Sequence, residues 1–206
     1  MARIGIMGGT FDPIHMGHLQ IGRQAKEEYG LEQVWFMPSG QPPHKKDHTV
    51  TAAPLRCAMV ELAIEGQDGF VSSRFEVERP GNTYTAQTLA LLKEAYPEHD
   101  FYFIIGADSL YEIEKWYEPE KIMAQTVLLV AGRAYDRAHP SMDAQMRYLT
   151  DTYGARICPL HCPQVDISSE EIRSLAAGGA ELTGLLPEKV IAFIKENGLY
   201  KETKKV

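Results

Sequence analysis

The sequence has few cysteines, no long apolar run and no excess of basic residues. Three cysteines among 206 residues exclude a secreted scaffold held together by disulfides. No stretch approaches the ~20 consecutive apolar residues that span a bilayer. With a net charge of -7, the chain lacks the basic stripe that binds nucleic acid polymers. These scarcities predict a cytoplasmic protein with neither a membrane nor a nucleic acid polymer as its partner.

The cysteines also argue against a metal site built by the protein. Cys158, His161 and Cys162 lie close together, but their spacing matches no standard zinc pair and no second pair occurs elsewhere. Free cysteine usually behaves as a small buried apolar residue. We therefore predict no protein-held metal. The glycine-rich first residues are also too short a stretch for a signal peptide.

What the chain does have is an alternation of short apolar runs and helical patterns. Runs rich in branched and aromatic residues predict strands, at residues 4–7, 34–37, 70–77, 101–105, 126–130 and 156–160. Helical patterns lie between several of them, at residues 17–29, 55–64 and 83–95, with Asn82 as the expected N-cap of the third. This order predicts βαβ units and a mainly parallel, Rossmann-like, doubly wound α/β sheet with helices on both faces. We expect one domain over residues 1–206, with a helical part at about 168–200.

The loop after the first strand is the most informative segment. Residues 8–18 read Gly-Gly-Thr-Phe-Asp-Pro-Ile-His-Met-Gly-His and lead into the first helix. In an open α/β sheet, ligands bind at the carboxyl ends of the strands. The two glycines allow the backbone to approach a ligand closely. His15 and His18 are three residues apart, so their side chains can converge on one face, and the helix start favours negative charge. This segment predicts a phosphate-bearing ligand.

A second anion-binding pattern lies near the other end of the chain. Ser168 and Ser169 precede Glu170 and Glu171, which is typical of a capping box at a helix start. Helix amides and hydroxyls bind anions, and Arg173 adds a planar fork of donors. Taken alone, the same pattern is also compatible with a simple helix cap.

The loop after the first strand resembles the signature of the nucleotidylyltransferase superfamily with the His-x-Gly-His motif. Further segments occur in the order seen in bacterial nicotinate-nucleotide adenylyltransferases: residues 42–45, 84–89, 105–109, 116–117 and 167–173. The resemblance covers nearly the whole chain, up to residues 198–200. Several motifs in register are far more specific than any one of them.

The resemblance implies a role for each matching residue. The expected ATP-binding residues are Gly8, Gly9, Thr10, Phe11, His15, His18, Gly106, Asp108, Ser168, Ser169 and Arg173. The acceptor-binding residues are expected to be His44, Lys45, Tyr84, Thr85, Trp116 and Arg133. The catalytic residues are expected to be His15, His18, Lys45 and Arg173, which supply positive charge or hydrogen-bond donors.

Two positions depart from the pattern of that family. Relatives usually carry threonine or serine at the position of Glu170, and an acidic side chain beside a triphosphate is repulsive unless it points away. The family also often has Arg-Pro-Gly where this chain has Arg133, Ala134 and Tyr135. The hydroxyl contact at position 170 and the turn after Arg133 are therefore in question.

The activity implied by the resemblance is the transfer of AMP from ATP to nicotinate mononucleotide. The products are nicotinate adenine dinucleotide and pyrophosphate, and Mg²⁺ is expected to arrive with ATP. An adenylyltransferase for another acceptor, nicotinamide mononucleotide or phosphopantetheine, remains the nearest alternative. A non-catalytic nucleotide-binding module is a further alternative, whereas an aminoacyl-tRNA synthetase is disfavoured because the chain is short and lacks an evident Lys-Met-Ser-Lys-Ser loop. The oligomeric state, including a homo-oligomer, stays open.

Overall fold

A computed structural model describes residues 1–40, 50–132, 141–163 and 167–201. Within these ranges, six parallel strands form one sheet. The strands are β1 (Arg3–Gly9), β2 (Gln33–Pro38), β3 (Phe70–Ser72), β4 (Asp100–Gly106), β5 (Val127–Ala131) and β6 (Arg156–Leu160). The sheet consists mainly of branched and aromatic residues, whose side chains pack well on a pleated surface.

Helices connect and cover these strands. They are α1 (Met16–Tyr29), α2 (Ala53–Ile64), α3 (Thr85–Ala95), α4 (Ala107–Glu112), α5 (Pro119–Gln125), α6 (Met142–Tyr153), α7 (Ser169–Ala177) and α8 (Glu188–Glu196). A short 3-10 turn, Ile113–Lys115, joins α4 to the segment before α5. Among the described residues, no helix is long and apolar enough to cross a membrane.

The strand order is β3-β2-β1-β4-β5-β6. Because the chain runs outwards from β1 in one direction and then outwards from β4 in the other, the order reverses between these two neighbouring strands. Doubly wound sheets open a crevice at such a point, outside the carboxyl ends of the strands. β1 ends there at Gly9 and β4 at Gly106. The predicted fold class is confirmed.

Two hydrophobic clusters lie on the two faces of the sheet. One contains Phe36, Met59 and Val190 and involves α1, α2, α7 and α8. The other contains Ile6, Leu110 and Leu149 and involves the helices α3 to α6. Burial of apolar side chains on both faces accounts for the near-continuous apolar sequences of the strands.

Helix α1 is held very close to the sheet by a glycine. A Cβ added at Gly22 would lie 2.8 Å from Cζ of Phe36, which is a rigid ring rather than a flexible side chain. The helix ends at Gly30, whose φ of 59° is the left-handed conformation that glycine adopts without strain. These two glycines fix the position of the helix that carries His15 and His18 at its start.

Several local predictions were wrong. Strand β3 covers Phe70–Ser72 instead of residues 70–77, since the chain turns away at the edge of the sheet. The N-cap of α3 is Tyr84 rather than Asn82, and it offers no side-chain hydrogen bond to the described helix. The prediction also missed α4, α5 and α6, whose positions depend on packing against β4, β5 and one another.

Candidate active site

Two adjoining cavities open at the carboxyl edge of the sheet. The larger cavity has a volume of about 760 Å³, and the smaller cavity has a volume of about 430 Å³. Four residues line both, namely Gly8, Phe103, Ser109 and Trp116. Two ligands bound side by side would therefore meet at the end of β1.

His15 and His18 line the larger cavity together. Their ring centroids are 3.7 Å apart, and the edge of Phe11 packs against His18 with centroids 5.0 Å apart. The backbone amide of His15 donates to Nδ1 of His18 over 3.2 Å. Since Nδ1 accepts, Nε2 carries the proton of the neutral His18 ring. The local fold therefore sets which nitrogen of His18 can donate to a phosphate.

The preceding residues of the loop are divided between the two cavities. Gly8 lines both, whereas Gly9 and Thr10 line the smaller one. The Phe11 side chain is only 2% exposed and packs on Phe36 and His18. Phe11 lines neither cavity, and its predicted contact with ATP stays a prediction.

The start of α7 lies beside this loop. The hydroxyl of Ser169 donates to the Pro13 carbonyl over 2.9 Å, and Nη1 of Arg173 donates to the Asp12 carbonyl over 2.8 Å. Ser168 caps α7 by accepting from the Glu171 amide. The paired histidines and the Ser-Ser-Arg turn, which are 150 or more positions apart in the chain, therefore line one cavity.

The other wall of the larger cavity is formed by the end of β4 and the start of α4. Gly106 and Asp108, two of the predicted ATP-binding residues, lie there. Glu170 also lines this cavity and is exposed, so this residue lies at the cavity's edge. An acidic residue therefore stands among those that line the predicted triphosphate site.

Three of the predicted acceptor residues line the smaller cavity, namely Tyr84, Thr85 and Trp116. Tyr84 and Thr85 are the N-cap and first residue of α3, so the first amides of that helix are near the cavity. Phe103 packs edge-on against Trp116 with centroids 6.3 Å apart. His44, Lys45 and Arg133 lie outside the described residues, and their roles stay predictions.

Sequence reasoning missed a buried cation that holds the loops beside the smaller cavity. Arg56 on α2 is 1% exposed and donates to the carbonyls of Thr10, Ser39 and Thr51 over 2.6 to 2.8 Å. Burial lowers the pKa of Arg56, and the Asp12 carboxylate opposes that shift. An arginine within a helical run whose only other charged residue is Glu61 was the available signal.

A buried carboxyl in the smaller cavity was also missed. Glu76 is 9% exposed, and its Oε1 accepts from the Thr88 hydroxyl over 2.7 Å. Arg79 donates to the same hydroxyl over 3.1 Å. Burial raises the pKa of Glu76 above its ordinary value of 4.5, while the hydrogen bond from Thr88 and the charge of Arg79 oppose the shift.

The raised pKa of Glu76 predicts a pH-dependent loss of stability. Glu76 binds its proton more tightly in the folded state than in the unfolded state. Its contribution to the free energy of unfolding is therefore lost as pH rises from 4.5 through its folded pKa. We expect the free energy of unfolding of Glu76→Gln, relative to that of the wild-type protein, to rise across this pH range and to stay constant above it. Urea denaturation of both proteins between about pH 4 and pH 8 measures this difference. A difference that stays constant over the whole range contradicts the prediction.

The donor set suits a metal that arrives with a ligand. Within the described ranges, no group of three His, Cys, Asp or Glu side chains is arranged to hold an ion. Asp108 and Glu170 are carboxylates on the wall of the larger cavity. Mg²⁺ keeps several waters and is often held by substrate phosphates with one or two carboxylates. Mg²⁺ would be held here by these carboxylates only together with phosphates of a bound ligand, and its involvement stays a prediction.

The fold and the cavities define a doubly wound α/β protein with two cavities at the point where the strand order reverses. The sequence pattern of the cytidylyltransferase-like family matches residues 6–175. A protein of Lachnoclostridium phytofermentans named "Probable nicotinate-nucleotide adenylyltransferase" is 40% identical over 97% of this chain and 100% of its own length. An Exiguobacterium sibiricum protein with the same name is 41% identical over 96% of this chain and 98% of its own.

A solved structure shows the same fold. The Plasmodium falciparum nicotinic acid mononucleotide adenylyltransferase complexed with NaAD matches with a TM-score of 0.79 and 21% identity, over 97% of this chain and 98% of that one. This chain belongs to the cytidylyltransferase-like family and, within it, to the family of nicotinate-nucleotide adenylyltransferases.

Proposed function

We propose that this protein transfers AMP from ATP to nicotinate mononucleotide, giving nicotinate adenine dinucleotide and pyrophosphate. The observation that carries the proposal is the pair of adjoining cavities that share Gly8, Phe103, Ser109 and Trp116. The larger cavity combines imidazoles, a helix start and a guanidinium, which suit a triphosphate. The smaller cavity has aromatic walls, which suit a pyridine ring. The names of the relatives support the same acceptor.

The proposed reaction is a direct displacement at phosphorus. An ionised oxygen of the acceptor phosphate forms a bond to the α-phosphorus of ATP. The bond from that phosphorus to the oxygen that bridges to the β-phosphorus breaks, and pyrophosphate leaves with the electron pair. The acceptor is already ionised, so the reaction requires no strong base and no covalent enzyme intermediate. Catalysis then consists of positioning and stabilisation of charge.

Each proposed catalytic residue acts on the phosphates. His18 donates from Nε2 to the triphosphate in the larger cavity. The ring centroids of His15 and His18 are 3.7 Å apart, so His15 contacts the same triphosphate. Arg173 and the start of α7 hold the departing β- and γ-phosphates. Lys45, outside the described residues, is proposed to neutralise the acceptor phosphate. Mg²⁺ bound to ATP would further neutralise phosphate charge.

An assay of pyrophosphate release tests the proposal. The protein is incubated with ATP, Mg²⁺ and, in turn, nicotinate mononucleotide, nicotinamide mononucleotide and phosphopantetheine. We expect the highest kcat/KM with nicotinate mononucleotide. Equal rates with nicotinamide mononucleotide would refute selectivity for the nicotinate form. A preference for phosphopantetheine would show that phosphopantetheine, not a pyridine mononucleotide, is the acceptor. ATP binding without pyrophosphate release from any acceptor would favour a non-catalytic nucleotide-binding module.

Replacement of Trp116 should chiefly impair use of the acceptor. We expect Trp116→Ala to raise the KM for nicotinate mononucleotide about tenfold, since stacking on an aromatic side chain contributes roughly 1–3 kcal/mol per base. Trp116→Phe, which keeps a smaller ring, should recover part of the loss. Trp35→Phe is the matched control, because Trp35 packs against Tyr96 and Phe101 and lines neither cavity. An unchanged acceptor KM in Trp116→Ala would refute stacking.

The cytoplasm is the proposed location, on the basis of the composition of the sequence. The three cysteines are free in the structure, as suits a reducing compartment.

A further inference from the structure

Asp12 joins three distant parts of the chain, one of which carries Arg173 on the wall of the larger cavity. The residue is 1% exposed. Its Oδ1 accepts from the Tyr200 hydroxyl over 2.6 Å, and its Oδ2 accepts from the Thr51 amide over 3.0 Å. Its carbonyl accepts from Nη1 of Arg173 over 2.8 Å. A buried carboxylate is stable only where donors replace its lost water, so these bonds fix its position.

The loop that contains Asp12 is also held from its other side. Arg56 donates to the Thr10 carbonyl, two residues before Asp12, and to the carbonyl of Thr51, whose amide is bonded to Asp12. The carbonyl of Pro13, the residue after Asp12, accepts from the Ser169 hydroxyl. The position of Asp12 therefore determines where Arg173 and Ser169 lie relative to His15.

We propose that Tyr200 is a positioning residue for the transfer reaction and acts through Asp12 on Arg173. This inference rests on the proposed function. Tyr200 comes from the end of the described chain, 188 residues after Asp12, and lines neither cavity. Its ring packs on the hydrophobic cluster that contains Met59, and its hydroxyl lies 3.9 Å from the Met59 sulfur. The hydroxyl is thus directed at Asp12 by packing.

The chemistry of the pair supports a fixed hydrogen bond. Burial, followed by the hydrogen bond to Asp12, raises the pKa of Tyr200 well above its ordinary value of 10.0. The phenol therefore keeps its proton at any pH at which the protein works, and it remains a donor. Without that donor, one oxygen of a buried carboxylate loses its partner, and Asp12, whose carbonyl holds Arg173, has to shift to find another.

The test is Tyr200→Phe, which keeps the packed ring and removes one oxygen. We expect kcat/KM for ATP to fall at least about tenfold, since a misplacement of about 1 Å can cost about a hundredfold in rate. We also expect weaker ATP binding by calorimetry, a measurement that requires no acceptor. Thr126→Val is the matched control. It removes a buried hydroxyl that donates to the Phe101 carbonyl over 2.7 Å, where β4 and β5 begin and away from the carboxyl ends of the strands. It should lower Tm and leave the kinetics native.

A double-mutant cycle tests the route through Arg173. Added to Arg173→Ala, Tyr200→Phe should change kcat/KM by less than about twofold, because the group that it positions is already gone. Native kinetics and native ATP affinity in Tyr200→Phe, with only a lower Tm, would show a purely structural role and overturn the proposal. Full additivity with Arg173→Ala would also overturn it. Absence of pyrophosphate release from the wild-type protein would instead refute the proposed function, while calorimetry still reports on Tyr200.

Discussion

Replacing His18 with alanine is expected to lower kcat about a hundredfold to a thousandfold, with a much smaller change in the KM for ATP. The reason is the charge that develops on the phosphates as the α-phosphorus changes partners. Nδ1 of His18 is occupied by the His15 amide, so the ring presents its proton at Nε2. A donor placed for the transition state contributes mainly to kcat. Steady-state pyrophosphate release measures both constants.

Two further substitutions at His18 separate its two hydrogen-bonding roles. Asparagine places an oxygen near the position of Nδ1 and can accept from the His15 amide, but it offers nothing at the position of Nε2. Glutamine reaches the position of Nε2. We expect His18→Asn to be as slow as His18→Ala and His18→Gln to recover part of kcat. Recovery of kcat in His18→Asn instead would show that His18 acts only by accepting the hydrogen bond from the His15 amide.

His99→Ala is the control for loss of an imidazole. His99 stacks on Tyr96 with ring centroids 5.8 Å apart and lies beside Trp35, at the sheet edge where β4 begins. It lines neither cavity. Its replacement should leave kcat unchanged, and a large loss there would attribute the effect of His18→Ala to general damage.

Replacing Arg56 with methionine is expected to lower the free energy of unfolding by about 3–5 kcal/mol. Methionine fills much of the same space and provides no donor. The carbonyls of Thr10, Ser39 and Thr51 then lose a charged partner inside the protein. The Asp12 carboxylate also loses a nearby positive charge. Since domains are stable by only about 5–15 kcal/mol, the loss is large and is measured by urea or guanidinium denaturation.

Arg56→Lys and Arg74→Met complete that experiment. Lysine keeps the charge but cannot reach three separate carbonyls with one nitrogen, so it should recover only part of the stability. Arg74 pairs with Glu61 at the surface, and the two side chains are 51% and 45% exposed. Its replacement should have a small effect because exposed ion pairs are screened by water. Equal losses in the free energy of unfolding at Arg56 and Arg74 would contradict the assignment of Arg56 as a buried residue that holds three backbone carbonyls.

Local chemistry made much of the site predictable. His15 and His18 are three residues apart at the start of α1, so their spacing indicated a shared face. Ser168, Ser169 and Arg173 were predicted from a helix-start pattern and from the family resemblance. The structure places both groups on one cavity. Their catalytic roles and the involvement of Mg²⁺ stay predictions, as does the extent of the single domain. Where local patterns compete with packing, as at Asn82 and in the short helices α4 and α5, prediction was wrong or silent.

The sequence by itself determined the alternation of strands and helices, the anion-binding loop after β1 and the second anion-binding turn, because each depends on neighbours a few residues away. The family resemblance predicted that the paired histidines and the Ser-Ser-Arg turn share one ligand, and only the tertiary structure decided which buried polar groups support them. Tyr200 reaches Asp12 across 188 residues, and Arg56 reaches Thr10 across 46. No periodicity encodes such contacts, since they arise when the sheet brings the carboxyl ends of its strands to one edge and buried polar groups must find partners there.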